Sequence, residues 1–554
     1  MDRAIPSWMA RRSFGSNKLG ARSTLKLAVI TDGEALQRFA LEAVNAVVGC
    51  DEVAIFSCTN TRLRRRPVKH GFYYALNLLT VVNPWTRSVP LERLTKRVSR
   101  AASFESGYEG AWQTLPAETV RELREYDLIL KFGMGLLRVP PAEELPVPIL
   151  SYHHGDPDKY RGRPGGFWEI MSGEPAMGQI VQAIGNKLDA GQVLAFAETK
   201  VLPWSYRATL IESYRHSPLI INEAIRNALA GSALPKPCRG KNYRLPSNAQ
   251  VVGFVAKMAF AFVRRLVYGA LFEKKWKVSL APLPAQAVPE LFVQPTFPQA
   301  ESWRTLEPAR GYTFYADPFF TPDPRGILVE ALRGSSGRGE IVLVTPDGPR
   351  TVSVAKGHMS YPSTIELDGH PYVVPEMAGW SPPKLFILDD GILKERRSLR
   401  IEGDPRIVDP TLFQHEGRIY LFGNIRSVGS NALYLWSAES IDSEFRLHPL
   451  SPLRVSPLGS RMAGSILSIG GRLLRLGQDF RFGYGDGIIA FEIEILTAQD
   501  YRERPLGALR FSDRHGPHTL NLTDGEIVFD WYRDGFTPFA GLRRLANHRN
   551  DKAS

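Results

Sequence analysis

His153 closes a short apolar run, Ile149-Leu-Ser-Tyr-His153, and is followed by a stretch dense in charge and aromatic character, His154-Gly-Asp-Pro-Asp-Lys-Tyr-Arg-Gly162. Imidazole exchanges protons near neutral pH, and a carboxylate that meets it can fix its orientation. Asp189 stands 36 residues further on, within Leu188-Asp-Ala-Gly191. A second group of candidates is acidic. Asp317 and Asp409 begin comparable short runs, Glu376 closes another, and Asp479 lies in Gly477-Gln-Asp-Phe480. Carboxylates gathered at one pocket perform glycoside hydrolysis, whereas an aspartate at the start of a strand also serves to cap a turn. Both readings of the acidic group stay open on sequence alone.

The elements that must position these residues fall into two regimes. Leu27–Thr31 is an apolar run ended by Asp32-Gly33; helix-period residues follow from Ala35 to Val47, then a second apolar run over Glu52–Phe56. That is a β-α-β opening. Further strands are expected at Asp127–Lys131, Val147–Ser151 and Gly178–Ile184, with helices between them. The alternation predicts a mostly parallel sheet covered on both faces, whose strand carboxyl ends border a ligand crevice. A helix and the strand Gly178–Ile184 are expected to return Asp189 to the edge where His153 sits. Between strands, Thr61–Phe104 carries Arg62, Arg64, Arg65, Arg66, Lys69 and His70 beside Phe72, Tyr73 and Tyr74. It reads as a solvated loop and surface helix, or as an insertion that binds anions.

Val251–Phe272 is a long apolar stretch interrupted by Lys257, Arg264 and Arg265, which share one helical face. Central cations argue against a spanning helix, leaving a packed amphipathic helix or one lying on a membrane surface. After Lys274 the helical period gives way to short β-type runs punctuated by Gly, Pro and Asp. The segments beginning at Ala316, Tyr361, Val408, Ala463 and Pro517 are each followed by a turn and a second strand, with starts about 45–55 residues apart. Five such units predict an all-β propeller of five blades, because one blade cannot bury its own faces. The expected organisation is a basic, disordered tail over 1–25, an α/β domain over 26–248, a linker helix over 249–274, the propeller over 275–546 and a short tail over 547–554.

The 554 residues are 44% apolar and 23% charged, a globular composition that excludes a wholly disordered or fibrous chain. Cys50, Cys58 and Cys238 are too few for a disulfide framework and lack zinc-finger spacing, so a reducing compartment without structural metal is expected. Lys and Arg number 69 against 57 acidic groups, a net charge of +12 that suits an anionic partner.

The chemistry-bearing stretch resembles the folate-dependent formyltransferases, whose pattern is Asn-x-His, then Lys-Tyr-Arg-Gly, and after a helix and strand Leu-Asp-x-Gly. The matching residues are His153, Lys159-Tyr160-Arg161-Gly162 and Leu188-Asp189-Ala190-Gly191. The likeness extends weakly from Leu27 to about Ser247, including Tyr243-Arg-Leu-Pro-Ser247. It implies an α/β Rossmann-like formyltransferase domain and transfer of a formyl group from 10-formyltetrahydrofolate to a primary amine. His153, oriented by Asp189, would stabilise the oxyanion, and Asp189 would accept the amine proton. Phe132, Gly133, Met134, Gly135, Leu136, Ile184 and Gly185 would line the folate site. His154, Asp156, Lys159, Tyr160 and Arg161 would face the substrate; no metal is implied. The chain departs from the pattern in two places: Ser151 stands where the family has its catalytic Asn, and His154-Gly155 replaces Pro-Ser. A hydroxyl can donate one hydrogen bond, and losing an oxyanion donor outright costs about 2.7–4 kcal/mol of barrier.

The second half resembles the propeller of plant glucosamine inositolphosphorylceramide transferases and, more remotely, five-bladed glycoside hydrolases, through Tyr315-Ala-Asp-Pro-Phe319, Val408-Asp-Pro-Thr411, Gly477–Phe480 with Tyr484-Gly485, and His518-Thr-Leu-Asn521. That pairing implies a nucleotide-linked amino sugar as acceptor, in cytoplasmic surface-polysaccharide synthesis. It further implies a glycan at the propeller, no nucleic acid, and peripheral contact with a membrane as an option. The alternatives are a weakened formyltransferase-like scaffold that binds carbohydrate, and a carbohydrate-active propeller with an accessory α/β half.

Overall fold

The computed structural model describes residues 25–60, 68–187, 191–236, 238–294, 297–321, 326–353, 357–523 and 525–544. The tails expected over 1–25 and 547–554, the arginines Arg62, Arg64, Arg65 and Arg66, and Asp189 therefore lie outside the described residues, apart from Leu25. The chain divides between Val263 and Arg264 into an N-terminal and a C-terminal compact unit.

The N-terminal unit is built on a seven-stranded sheet. Its strands are β1 (Leu27–Asp32), β2 (Glu52–Cys58), β3 (Arg97–Phe104), β4 (Leu128–Lys131), β5 (Ile149–His153), β6 (Ala176–Ala183) and β7 (Gln192–Lys200), in spatial order β7-β6-β5-β4-β1-β2-β3. Central strands such as β1 are continuous apolar runs because both of their faces are covered. One face packs on Phe56, Leu123, Met134 and Leu145. The expected strands are present, displaced by a few residues. β3 is an addition: Arg97–Phe104 is polar and mostly exposed, an edge strand without the apolar signature.

The direction of β6 departs from expectation, and β7 is a second strand that the sequence reading did not include. β5 runs parallel to β4, but β6 is antiparallel to β5 and β7 antiparallel to β6. Ile180 faces His153 and Ala183 faces Leu150, so the carboxyl end of β6 lies beside the first half of β5 and not at the His153 edge. The turn after β4 is pinned. Met134 N donates to Asp32 Oδ1 at 2.8 Å, and Gly133, at φ +104°, lies so near that a Cβ would fall 2.6 Å from the Asp32 carboxyl carbon.

The helix Asn248–Leu271 crosses the division between the units, and the strand beginning at Phe272 takes up the residues expected to end the linker. No helix among the described residues is long and apolar enough to cross a membrane.

The C-terminal unit contains five antiparallel sheets among its described residues. The first combines Arg304–Leu306, Phe272–Pro282, Glu526–Phe536 and Leu520–Leu522, so the earliest and latest strands of the unit pair directly, from Phe272 opposite Phe536 to Pro282 opposite Glu526. The other four are each a run of consecutive strands, led by Tyr312–Phe320, Ser360–Leu367, Ile407–His415 and Leu458–Met462. The five repeating units expected from sequence are these five sheets.

Hydrogen bonds link each sheet to the next. Thr364 Oγ1 donates to Phe320 O at 3.1 Å, Ser363 Oγ to Pro410 O at 2.6 Å and Asn424 Nδ2 to Ser460 O at 3.0 Å. Leu520 N donates to Ala463 O at 2.9 Å, and Asn521 Nδ2 to Pro318 O at 2.8 Å. Three leading strands break register at one place, where Asp317 (φ +47°), Tyr361 (φ +44°) and Asp409 (φ +49°) each precede a proline. Left-handed backbone at non-glycine residues costs about 1–3 kcal/mol, and bulges of this kind re-aim a side chain.

A buried ion network supports the fourth and fifth sheets. Glu503 accepts from Arg475 Nε at 2.7 Å, from Arg454 Nε at 3.1 Å and from Tyr501 Oη at 2.6 Å. Burial would raise its pKa, but the arginines outweigh that and hold it down at about 2. Removing one partner of such a pair strands the others in a dry interior, at about 3–5 kcal/mol. Glu503→Gln is therefore expected to lower the urea midpoint of the C-terminal unit to match a loss of that order, while Glu439→Gln, an exposed partner of Arg418, changes it little. Equal midpoints for the two variants would remove the network from its supporting role.

Candidate functional site

Ser151 and His153 alternate with Tyr152 and His154 along β5, so the two pairs occupy opposite faces. On the first face, Ser151 stands between Lys131 of β4 and Gln182 of β6 in register. His153 is buried, and its Nε2 lies 3.2 Å from Tyr160 O. A carbonyl only accepts, so that nitrogen carries the proton. Lys131, also buried, reaches Gly135 O at 3.0 Å. Gln182 Oε1 accepts from Gly191 N at 3.1 Å, and a Cβ on Gly191 would fall 2.1 Å from Ala183 O. Gly191, the first described residue after Asp189, is thus held against Gln182, the residue beside Ser151.

His154 does not join this face. It packs against Phe39 at 5.2 Å and Tyr214 at 4.2 Å between ring centroids, and its Nε2 lies 2.9 Å from Ser217 Oγ. Ser217 gives its own proton to Gln179 Oε1 at 2.7 Å, so His154 is the donor to Ser217. Burial, then the neighbouring His153, press its pKa down to about 3, leaving it neutral. A substrate-facing role for His154 is replaced by a structural one.

The charged residues that follow are partnered within the protein. Lys236 Nζ sits 2.8 Å from Asp156 and 3.2 Å from Asp158; Lys159 pairs with Glu174 at 2.8 Å, and Tyr160 Oη donates to Glu174 at 3.3 Å. Arg161 Nε donates to Gly240 O at 2.7 Å. In the folate loop, Gly133 and Gly135 are exposed and Phe132 and Leu136 half-buried, but Met134 turns into the core and cannot line a ligand. Ile184 packs partly on that same core and Gly185 has open space around it.

In the C-terminal unit the structure gathers Asp317, Glu376 and Asp409 and adds residues that the sequence reading did not select. Asp317 Oδ1 accepts from Thr519 Oγ1 at 2.7 Å, and His518 Nδ1 lies 3.2 Å from Asp317 and 3.2 Å from Asp530. Asp530 also accepts from Asp317 N at 2.9 Å. Asp409 is gripped by Arg461 through Nε and, at 3.1 Å, Nη2, and receives Gln478 Nε2 at 3.2 Å. Glu330 contacts Asp317, and Glu376 contacts Asp409 and lies 3.9 Å from Arg461. Asp479 belongs elsewhere: Arg481 at 2.9 Å and Arg510 at 2.6 Å hold its carboxylate. Glu330 was legible in principle. It faces Ala316, as Glu376 faces Ser360 and Asn424 faces Val408, so aligning the repeats would have flagged it.

A family model described as glucosamine inositolphosphorylceramide transferase 1, N-terminal, matches residues 351–519. Among curated relatives, glucosamine inositolphosphorylceramide transferase 1 of Arabidopsis thaliana is 26% identical over 170 residues, 30% of this chain and 22% of the relative. Its namesake in Oryza sativa subsp. japonica is 28% identical over 155 residues, 27% of this chain and 21% of the relative. The match thus spans about a fifth of these relatives' length. Similar solved structures include glycinamide ribonucleotide transformylase 1 of Symbiobacterium toebii, at 18% identity over 40% of this chain and 94% of that one, TM-score 0.27. Another is the N-formyltransferase of Helicobacter canadensis in complex with folinic acid and dTDP-3-aminofucose, at 12% identity over 43% of this chain and 81% of that one, TM-score 0.26.

Glu169, on the short helix Phe167–Ser172 after the motif, offers a pH test. Burial above all, and less so Glu174 and Asp156, raise its pKa from 4.5 to about 8. The fold keeps a proton that the unfolded chain sheds, so this contribution is complete below pH 4.5 and is lost as pH rises through 8. Glu169→Gln is expected to match the parent's unfolding free energy near pH 4.5 and exceed it at pH 8, the gap growing by up to about 1.4 kcal/mol per pH unit. A gap independent of pH would contradict the assignment.

Proposed function

We propose that the N-terminal unit is an N-formyltransferase that passes the formyl group of 10-formyltetrahydrofolate to the amine of an amino sugar, nucleotide-linked in class. The observation that supports this reading is the shared face of β5: buried His153, Ser151 two residues before it, and Gln182 beside Ser151 on the neighbouring strand. The amine attacks the formyl carbon, and the charge that builds on the formyl oxygen is met by the Ser151 hydroxyl and by the His153 Nε2 proton as it turns from Tyr160 O. Asp189 takes the amine proton and returns it to the folate nitrogen as tetrahydrofolate leaves with the electron pair of the broken C–N bond. Gly133, Gly135 and Leu136, with Ile184 and Gly185, are the residues that would hold the folate; the exposed glycine backbone suits close approach of a flat ring. Acceptor choice follows the second unit, whose curated relatives bear glucosamine in their names.

In that second unit we read the five sheets as the blades of a closed propeller, supported by the bonds that run from each leading strand to the next and from Leu520 back to Ala463. Peripheral contact with an anionic membrane is supported by Phe260, Phe262 and Lys257, exposed on a helix that carries no acidic residue.

Incubation with 10-formyltetrahydrofolate and a panel of nucleotide-linked amino sugars is expected to give an N-formyl product. His153→Ala should lower kcat by about 10²-fold or more, and Ser151→Asn, which restores an amide donor, should raise it at least severalfold. Absence of product together with absence of folate binding by calorimetry would reject the reading. So would an unchanged rate in His153→Ala.

A further inference from the structure

The acidic cluster of the C-terminal unit has too many acceptors for the donors around it. Arg461 serves Asp409, and His518 serves Asp317 and Asp530. Glu330 and Glu376, each against one of these aspartates, are left to hold protons. Burial and then the adjacent Asp317 hold the pKa of Glu330 far above the carboxylate range; burial and then Asp409 raise Glu376 to about 8. Gln478, 1% exposed, spends its amide N–H groups on Asp409 and Met462 O, and its Oε1 has no partner among the described residues. What is missing is a donor bearing positive charge.

The cluster is reachable. The side chains of Glu330 and Glu376 keep 13% of their surface and Arg461 keeps 17%, beside the exposed Tyr484, whose ring lies under the Arg461 guanidinium at 5.1 Å and meets Trp276 edge-on at 6.0 Å. Aromatic faces of this kind suit both a cation and the apolar face of a sugar ring. His358 lies 3.7 Å from Glu330, Tyr361 adds a buried hydroxyl, and Lys274 covers the Tyr484 ring at 5.4 Å. A metal ion fits less well. Asp317, His518 and Asp530 have suitable spacing, but the two aspartates outweigh burial and raise the pKa of His518 to about 10, so its Nδ1 carries a proton where a metal would need a lone pair.

We infer that this cluster is a binding site for the primary ammonium group of an amino sugar, with Glu330 and Glu376 as its carboxyl partners and the Gln478 carbonyl as a third acceptor. An ammonium offers three donors and one charge, the complement of two protonated carboxyls and one idle amide oxygen. Its arrival makes one glutamate ionise, so binding releases a proton to solvent. This site is separate from the His153 face and does not depend on formyl transfer.

Calorimetry of the full chain at pH 7, run in phosphate and in Tris, reads both affinity and proton release. Glucosamine is expected to bind at least about tenfold more tightly than glucose, N-acetylglucosamine or ethanolamine, with release of up to about one proton. Glu330→Gln and Glu376→Gln imitate the protonated side chains, so each should keep the parent melting temperature while losing affinity and proton release. Equal affinity for glucose and glucosamine overturns the inference, as does equal affinity for ethanolamine. Binding and proton release unchanged in both variants, or Mn²⁺ that binds in place of glucosamine, overturn it equally.

Discussion

Pairing of Phe272–Pro282 with Glu526–Phe536 is the constraint on which the C-terminal unit rests. Until the last segment of the chain arrives, Phe272–Pro282 pairs only with the three-residue strand Arg304–Leu306, and the core around Val278 and Leu280 lacks Val528. The same late strand carries Asp530, which accepts the Asp317 amide, the His518 ring and the Thr519 amide. Closure of the sheet and assembly of the acidic cluster are therefore one event. A fold that depends on so distant a contact is bound to be slow, since loop-closure entropy is lost before any of the reward is gained.

The two units treat charge in opposite ways. Around the His153 motif charged groups pair with one another, as Asp156 has Lys236 and Lys159 has Glu174, while Ser151 and His153 offer hydrogen-bonding side chains. A hydrogen-bonding surface of this type can respond to charge that develops only during a reaction. The C-terminal cluster instead concentrates carboxyl groups beyond what Arg461 and His518 can compensate, and relieves the excess by retaining protons. Such a site responds to a ligand that is already charged when it arrives.

Most of the framework was legible in the chain. The apolar runs marked β1, β2, β4 and β5, and the repeat of turn and strand marked all five sheets. Strand direction was not legible, because an apolar run reads alike in either sense; the reversal of β6 emerged only from its register against β5. β3 escaped because Arg97, Arg100 and its serines leave it the polarity of a loop, although it pairs fully with β2. At the sites, His153 and the acidic residues at strand ends could be found by motif, whereas the partners that decide their chemistry could not. Lys236 neutralises Asp156 from far along the chain, Asp530 reaches Asp317 from the last strand, and the alternation along β5 sends His154 to the opposite face from His153.

Phe272 and Phe536, near the two ends of the C-terminal unit, stand opposite each other on adjacent strands about 5 Å apart. A body whose two ends coincide can be lifted out of one gene and spliced into another at a single surface position, without stretching the host or opening the insert. The residues that give this unit its charge chemistry lie inside that closed span, so they would travel with it. Recombination can thus join the same receptor for a small cation to unrelated partners.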